Sequence, residues 1–172
     1  IEFGQGTDKV SAGLINILNA GIPATDALTV LRASLISATT GFTDTEIAAD
    51  ALTSVMNAYN MSASDASHIS DVLQVTVNNG KISFAELSSE IGKLAPTAKS
   101  AGVSFEELAA MIATLTKVED PSRAITALNF ALKSAAAQNR PLLDMIKQLQ
   151  GADLTGILKS GFTKGAATAV SI

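Results

Sequence analysis

The sequence predicts an all-α protein, a compact array of short helical hairpins with about eight helices and no significant sheet. Apolar residues recur three and four positions apart along almost the whole chain. Gly, Pro or a hydroxyl residue interrupts these stripes at short intervals. The hydrophobic fraction is 47% but the aromatic fraction only 4%, so the core must be built from Ala, Leu, Ile and Val, which lets helices approach closely.

Val10, Leu14, Ile17 and Leu18 define a first helix, with Gly21 placed to stop it. Pro23, a favoured first-turn residue, opens a second helix carrying Leu28, Leu31 and Leu35. Ile47, Ala51, Val55 and Tyr59 form a third stripe, and Ile69, Val72, Leu73 and Thr76 a fourth. In "DVLQVTVNN" Val75 and Val77 alternate with polar residues as in a strand, but Ile69 and Val72 carry helical spacing into it, which favours helix. Phe84, Leu87, Ile91 and Leu94 make a fifth stripe that Pro96 is expected to close, leaving "TAKSAG" at most a short turn. Phe105, Leu108, Ile112 and Leu115 follow, then Ile125, Leu128 and Leu132. Leu142, Met145, Ile146 and Leu149 after Pro141 complete the series. Residues 1–6 read as a vector-derived remnant or linker, 7–150 as the helical domain, and 151–172, with "ADLTGILKS", as a short helix and tail leading into a longer chain.

Composition narrows the function classes. Charged residues are 16% with a net charge of -4, against a typical charged fraction of ~25%. No basic cluster meets the demand of nucleic-acid phosphates. There is no Cys and therefore no disulfide or thiol chemistry. No apolar run approaches the ~20 residues of a bilayer span.

"NNGKISFAEL" resembles the second half of an EF-hand loop, with Gly80, Ile82 and Glu86 at the sixth, eighth and twelfth positions. The same register puts Val75 and Val77 at the first and third positions, where the ion needs oxygen ligands, so there is no site. The pattern recurs instead as "GVSFEELA" at 102–109 and "GFTDTEIA" at 41–48, with "GIPATDAL" at 21–28 as a degenerate copy. Ser83 with Glu86, Ser104 with Glu107 and Thr43 with Glu46 have capping-box spacing. Each preceding Gly suits the left-handed residue that ends a helix. Every copy is thus a junction between two helices, with Phe84 and Phe105 placed to plug neighbouring junctions. The glycines at 21, 41, 80 and 102 are too unevenly spaced for a strict solenoid, and a one-layer or two-layer array fits better.

His68 is the one histidine, so no histidine metal cluster can form, and a triad around it lacks a recognisable nucleophile elbow; a solvated surface role is expected. Glu106 with Glu107, or Glu86 with Glu90, could be paired carboxylates for glycoside hydrolysis. Capping and a solvated helix face account for them better, since sugar-stacking aromatics are scarce. No catalytic residue, cofactor or metal is expected.

The ordered words Gly-Phe-Thr-Asp, Asn-Ala-Tyr, Asn-Gly-Lys, Ala-Pro-Thr-Ala and Gly-Val-Ser-Phe-Glu-Glu-Leu, from Gly21 to Lys117, closely resemble the core of tail tape measure proteins from long-tailed bacteriophages and prophages. The chain departs from the pattern at "VEDPSRAITALNFALKS", which keeps a helix start at Asp120 and Pro121 but lacks the Gly. The resemblance implies a structural protein of the virion tail lumen, made in the host cytoplasm, that sets tail length and leaves ahead of the DNA. It implies the tail tube, tail assembly chaperones and further copies of itself as partners, without specific nucleic-acid binding. Two other readings stay open: a membrane-active or receptor-engaging module that meets a host membrane protein at injection, and, more remotely, a peptidoglycan hydrolase segment. Calorimetric titration with millimolar calcium is expected to show no binding, and a binding heat removed by Glu86→Gln would overturn this reading.

Overall fold

Seven α-helices follow one another in the computed structural model, which describes residues 6–137. They are α1 (Thr7–Asn19), α2 (Ala24–Thr40), α3 (Thr45–Tyr59), α4 (Ala66–Asn79), α5 (Phe84–Ser100), α6 (Phe105–Val118) and α7 (Pro121–Ala137), with a 3-10 turn, Ala63–Asp65, leading into α4. No strand occurs among the described residues, and the β-like segment around Val75 and Val77 belongs to α4. The expected helix with Leu142, Met145, Ile146 and Leu149, and the segment 151–172, lie outside the described residues.

The helices form two rows. α1, α3, α5 and α7 pack side by side in one row, and α2, α4 and α6 in the other. Consecutive helices cross between the rows, so the one-layer or two-layer expectation resolves to two layers. α3 sits at the centre, against α1, α2 and α5 most extensively and α4 more lightly. Its Ala48, Ala49, Ala51, Leu52 and Val55 are all fully buried.

Small side chains set the helix spacing. A Cβ at Gly13 of α1 would lie 2.7 Å from Thr45 Cγ2 of α3. Buried hydroxyls are also matched across the rows, as in Ser37 of α2 and Ser70 of α4 at 2.6 Å. Thr116 Oγ1 donates to Ile112 O at 2.8 Å and accepts from Lys81 N at 3.2 Å, tying the end of α6 to the turn between α4 and α5.

Helix ends repeat one geometry. Ile22 N donates to Ile17 O, Thr43 N to Ala38 O, Met61 N to Met56 O and Val103 N to Ala98 O, at 2.9 to 3.3 Å. These are the long bonds that close a helix through a left-handed residue. Gly21 and Gly102 supply that residue as expected, with φ of 87° and 72°. At the other two ends Phe42 (φ 51°) and Asn60 (φ 56°) supply it. Gly41 and Gly80 do not take the left-handed role expected of them, their φ values being -87° and -102°. They are close-approach positions: a Cβ at Gly41 would fall 2.7 Å from Phe84 Cγ, and one at Gly80 2.7 Å from Thr116 Oγ1.

Two of the expected capping boxes form. Glu86 accepts from Ser83 N at 2.9 Å and its own N–H reaches Ser83 Oγ; Glu107 and Ser104 repeat the pair at 2.9 and 3.2 Å. Ile82 and Val103 just before the caps are buried, as are Leu87 and Leu108 inside the helices, which is the placement of a hydrophobic staple. The Thr43–Glu46 box does not form: Asp44 is the cap residue, without a side-chain cap bond. Thr43 N is already spent on closing α2, so α3 starts one residue later. A box with Asp in place of Glu, Ser62 with Asp65, opens the turn before α4 instead, Ser62 N donating to Asp65 Oδ2 at 2.8 Å.

Two further expectations change. Pro96 lies inside α5, which runs on to Ser100. Its ring is exposed, on the side where a missing N–H is best tolerated, while Leu94, Ala95 and Ala98 are fully buried and hold the last turn against the core. Leu18, Leu28 and Ile47 are exposed rather than core. Neighbours on several sides bury a broad arc of α2 made of Ala27, Val30, Ala33, Ser34 and Ala38, a pattern that a search for large apolar residues passes over.

Gly41→Ala is expected to destabilise the domain by ~1–3 kcal/mol through overpacking against Phe84. The backbone there suits alanine, so an unchanged melt would mean that Phe84 moves aside freely. Ser104→Ala should cost ~1 kcal/mol, the usual loss of an N-cap, and a parent-like melt would show that the box adds nothing.

Candidate functional site

The junction between α5 and α6 gathers a set of interacting side chains at a surface cleft. The left-handed Gly102 turns the chain, the Ser104 box fixes the start of α6, and Phe105 is carried inward to 2% exposure. Tyr59, in the last turn of α3, meets this junction. Its hydroxyl donates to Val103 O at 3.2 Å, its ring centroid lies 6.0 Å from that of Phe105 at 55°, and Lys99 Nζ stands 5.5 Å over its face. Burial, with the nearby charges of Glu106 and then Glu107, pushes the Tyr59 hydroxyl up to about 12. Lys99, Met61, Tyr59, Val103 and Glu106 line a cleft of about 420 Å³.

Phe84 plugs the junction at Gly41 and Phe105 the one at Tyr59, as their positions after the caps suggest. His68 is exposed and its Nε2 lies 2.9 Å from Glu106 Oε1. The hydrogen bond from His68 holds the Glu106 carboxyl below its ordinary range, assisted by its backbone. Both side chains are more than half exposed, so the pair adds little stability. It ties the first turn of α4 to the first turn of α6.

The carboxylates weighed as a hydrolytic pair are spoken for separately. Glu86 and Glu107 close capping boxes, Glu106 pairs with His68, and Glu90 pairs with Lys93 at 3.0 Å. The Ser83 hydroxyl, followed by the Ser83 backbone, holds Glu86 below the usual carboxylate range. Val75 and Val77, at ligand positions of the calcium pattern, lie in the last turns of α4. Among the described residues no group of three or more His, Asp or Glu could hold a metal ion, and no helix is long and apolar enough to cross a membrane.

A second, smaller cleft of about 290 Å³ lies over α3 between α1 and α5, lined by Asn16, Glu46, Ile47, Asp50, Ser88 and Ser89. Ser88 Oγ is buried there without a hydrogen-bond partner. The sequence reading missed the Tyr59 and Lys99 pair; its one signal was a lone tyrosine at a helix end in an aromatic-poor chain. In the first cleft the polar groups are directed mostly at one another.

The family model described as phage-related minor tail protein matches residues 1–170. No curated protein and no solved structure matches the chain. A chain that this model covers over all but its last two residues, and that folds as an array of capped helices, belongs to the family of phage-related minor tail proteins.

Proposed function

We propose that this chain is a structural module of a tail tape measure protein, which sets tail length during assembly and leaves the tail when the genome is injected. The observation that carries the reading is membership of the minor tail family over residues 1–170. The ordered resemblance from Gly21 to Lys117 supports a tape measure within that family. In this reading the module works without catalysis or cofactor, inside the tail lumen, against the tube, the assembly chaperones and further copies of the same protein.

A ruler acts through length. At ~1.5 Å per residue the described segment would span roughly 200 Å as continuous helix, several times the extent of the folded array. We therefore assign it two states, a folded array when free and an opened helical chain inside the tube. The short links between helices, the absence of disulfides and the small-residue core suit such opening.

In a phage that carries this chain, in-frame deletion of residues 6–137 is expected to shorten tails by up to ~200 Å, and duplication to lengthen them, as measured by electron microscopy. Tails of unchanged length would sink the ruler reading. For the purified chain, stability near the low end of ~5–15 kcal/mol is expected, with helical circular dichroism outlasting a packing probe in denaturant. A single coincident transition of much higher stability would instead describe a rigid module.

A further inference from the structure

The buried hydroxyls of Ser34, Thr53 and Thr116 each donate to the carbonyl four residues back on their own helix, at 2.8 to 2.9 Å. Ser88 of α5 does not. It is 4% exposed, its Oγ has no hydrogen-bond partner, and it lines the cleft of about 290 Å³ over α3. An unpaired buried hydroxyl costs free energy, and in a cleft wall it points to a partner that enters from outside.

Two carboxylates share the cleft. Glu46 and Asp50 lie one turn apart on α3, and both are exposed and line it. The first turn of a helix favours acidic residues, which accounts for Glu46; Asp50 lies beyond that turn. The three surrounding helices do not neutralise this pair from within. Lys9 of α1 is held by Asp44, Lys93 of α5 by Glu90, Lys99 of α5 stands over the Tyr59 ring, and α3 carries no basic residue. Ile47 and Ala85, both exposed, add apolar wall.

We propose that this cleft binds a primary alkylammonium group, the end of a lysine side chain or of a free linear diamine. An ammonium has three N–H donors, and Glu46, Asp50 and Ser88 Oγ offer acceptors from two helices. Ile47 and Ala85 offer apolar surface to the methylene stem. A guanidinium would gain most from a single carboxylate set flat against its fork. A calcium ion takes roughly six to eight oxygen ligands and gains nothing from the apolar wall. The volume lies at the low end of the ~300–1,000 Å³ of small-molecule sites, which suits one extended side chain and not a nucleotide. Amine binding is independent of tail length, so this site and the ruler reading can fail separately.

Amide chemical shifts of the isotope-labelled full chain test the site, with Nα-acetyl-lysine methylamide and diaminobutane as separate probes. Saturable shifts at Glu46, Asp50, Ser88 and Ser89 are expected, and the tighter probe names the source, a protein lysine or a free diamine. The norleucine analogue, with the same stem and no charge, should leave these shifts unmoved. Glu46→Gln with Asp50→Asn should raise the dissociation constant at least ~threefold, as the loss of two exposed ion pairs predicts. Ser88→Ala should weaken binding by about tenfold, since a hydrogen bond to a charged group is lost, yet melt at or above the parent because no internal partner is lost with the hydroxyl. Absence of saturable shifts with both amines, equal binding of the norleucine analogue, unchanged affinity in either variant, or a Ser88→Ala chain that melts below the parent would each overturn the proposal.

Discussion

Close helix spacing around α3 is the constraint on which the rest of the structure depends. Ala48, Ala49 and Ala51 leave room for neighbours on several sides of one helix, and Gly13 on α1 lets Thr45 nearly touch the facing backbone. Gly92 of α5 meets Ser54 of α3 in the same manner, with 3.2 Å left for a Cβ. At such distances each helix gains many weak dispersion contacts from small groups, which explains how a chain with 4% aromatic residues still encloses a continuous core. The cost is intolerance: at Gly13, Gly41 and Gly80, where a Cβ would fall 2.7 Å from a neighbour, an added methyl group forces something to shift.

The large side chains are placed where helices change direction. Phe84 and Phe105 each follow a capping serine directly, so one short stretch both starts a helix and fills the gap beside the preceding junction. Four helix ends close through a left-handed residue. Repeated closure of one kind, combined with fixed caps, turns the chain back at each junction and keeps the two rows in step. In a tail protein such joints matter because orientation is set locally, junction by junction, rather than by one distant contact.

Polar chemistry serves the same end. In a chain with 16% charged residues, Asp65, Glu86 and Glu107 hold helix starts, and Glu106 bridges to His68. Buried hydroxyls such as Ser37, Thr53 and Thr116 bond across the rows or back to the preceding helical turn, while Ser88 Oγ is buried without a partner.

What the sequence determined by itself was local: the helices, the Ser83 and Ser104 caps, the Asp120–Pro121 start of α7, and the stripes of α4, α5 and α7. Each depends on residues within a few positions of one another, so spacing alone reveals it. Tertiary structure decided the rest. Whether Gly41 serves for its freedom or for its lack of a side chain depends on Phe84, 43 positions away, and once Gly41 was claimed by that contact the left-handed turn fell to Phe42. Pro96 stays helical because Ala95 and Ala98 are gripped by other helices. Tyr59 became the centre of the α5–α6 cleft because Lys99 of α5 and Val103 of the turn that follows it come to it from another part of the chain. The outward side of the first hairpin could not be read from periodicity either: Leu28 and Leu31 look alike in the sequence, and only the neighbouring row decides which of them is covered.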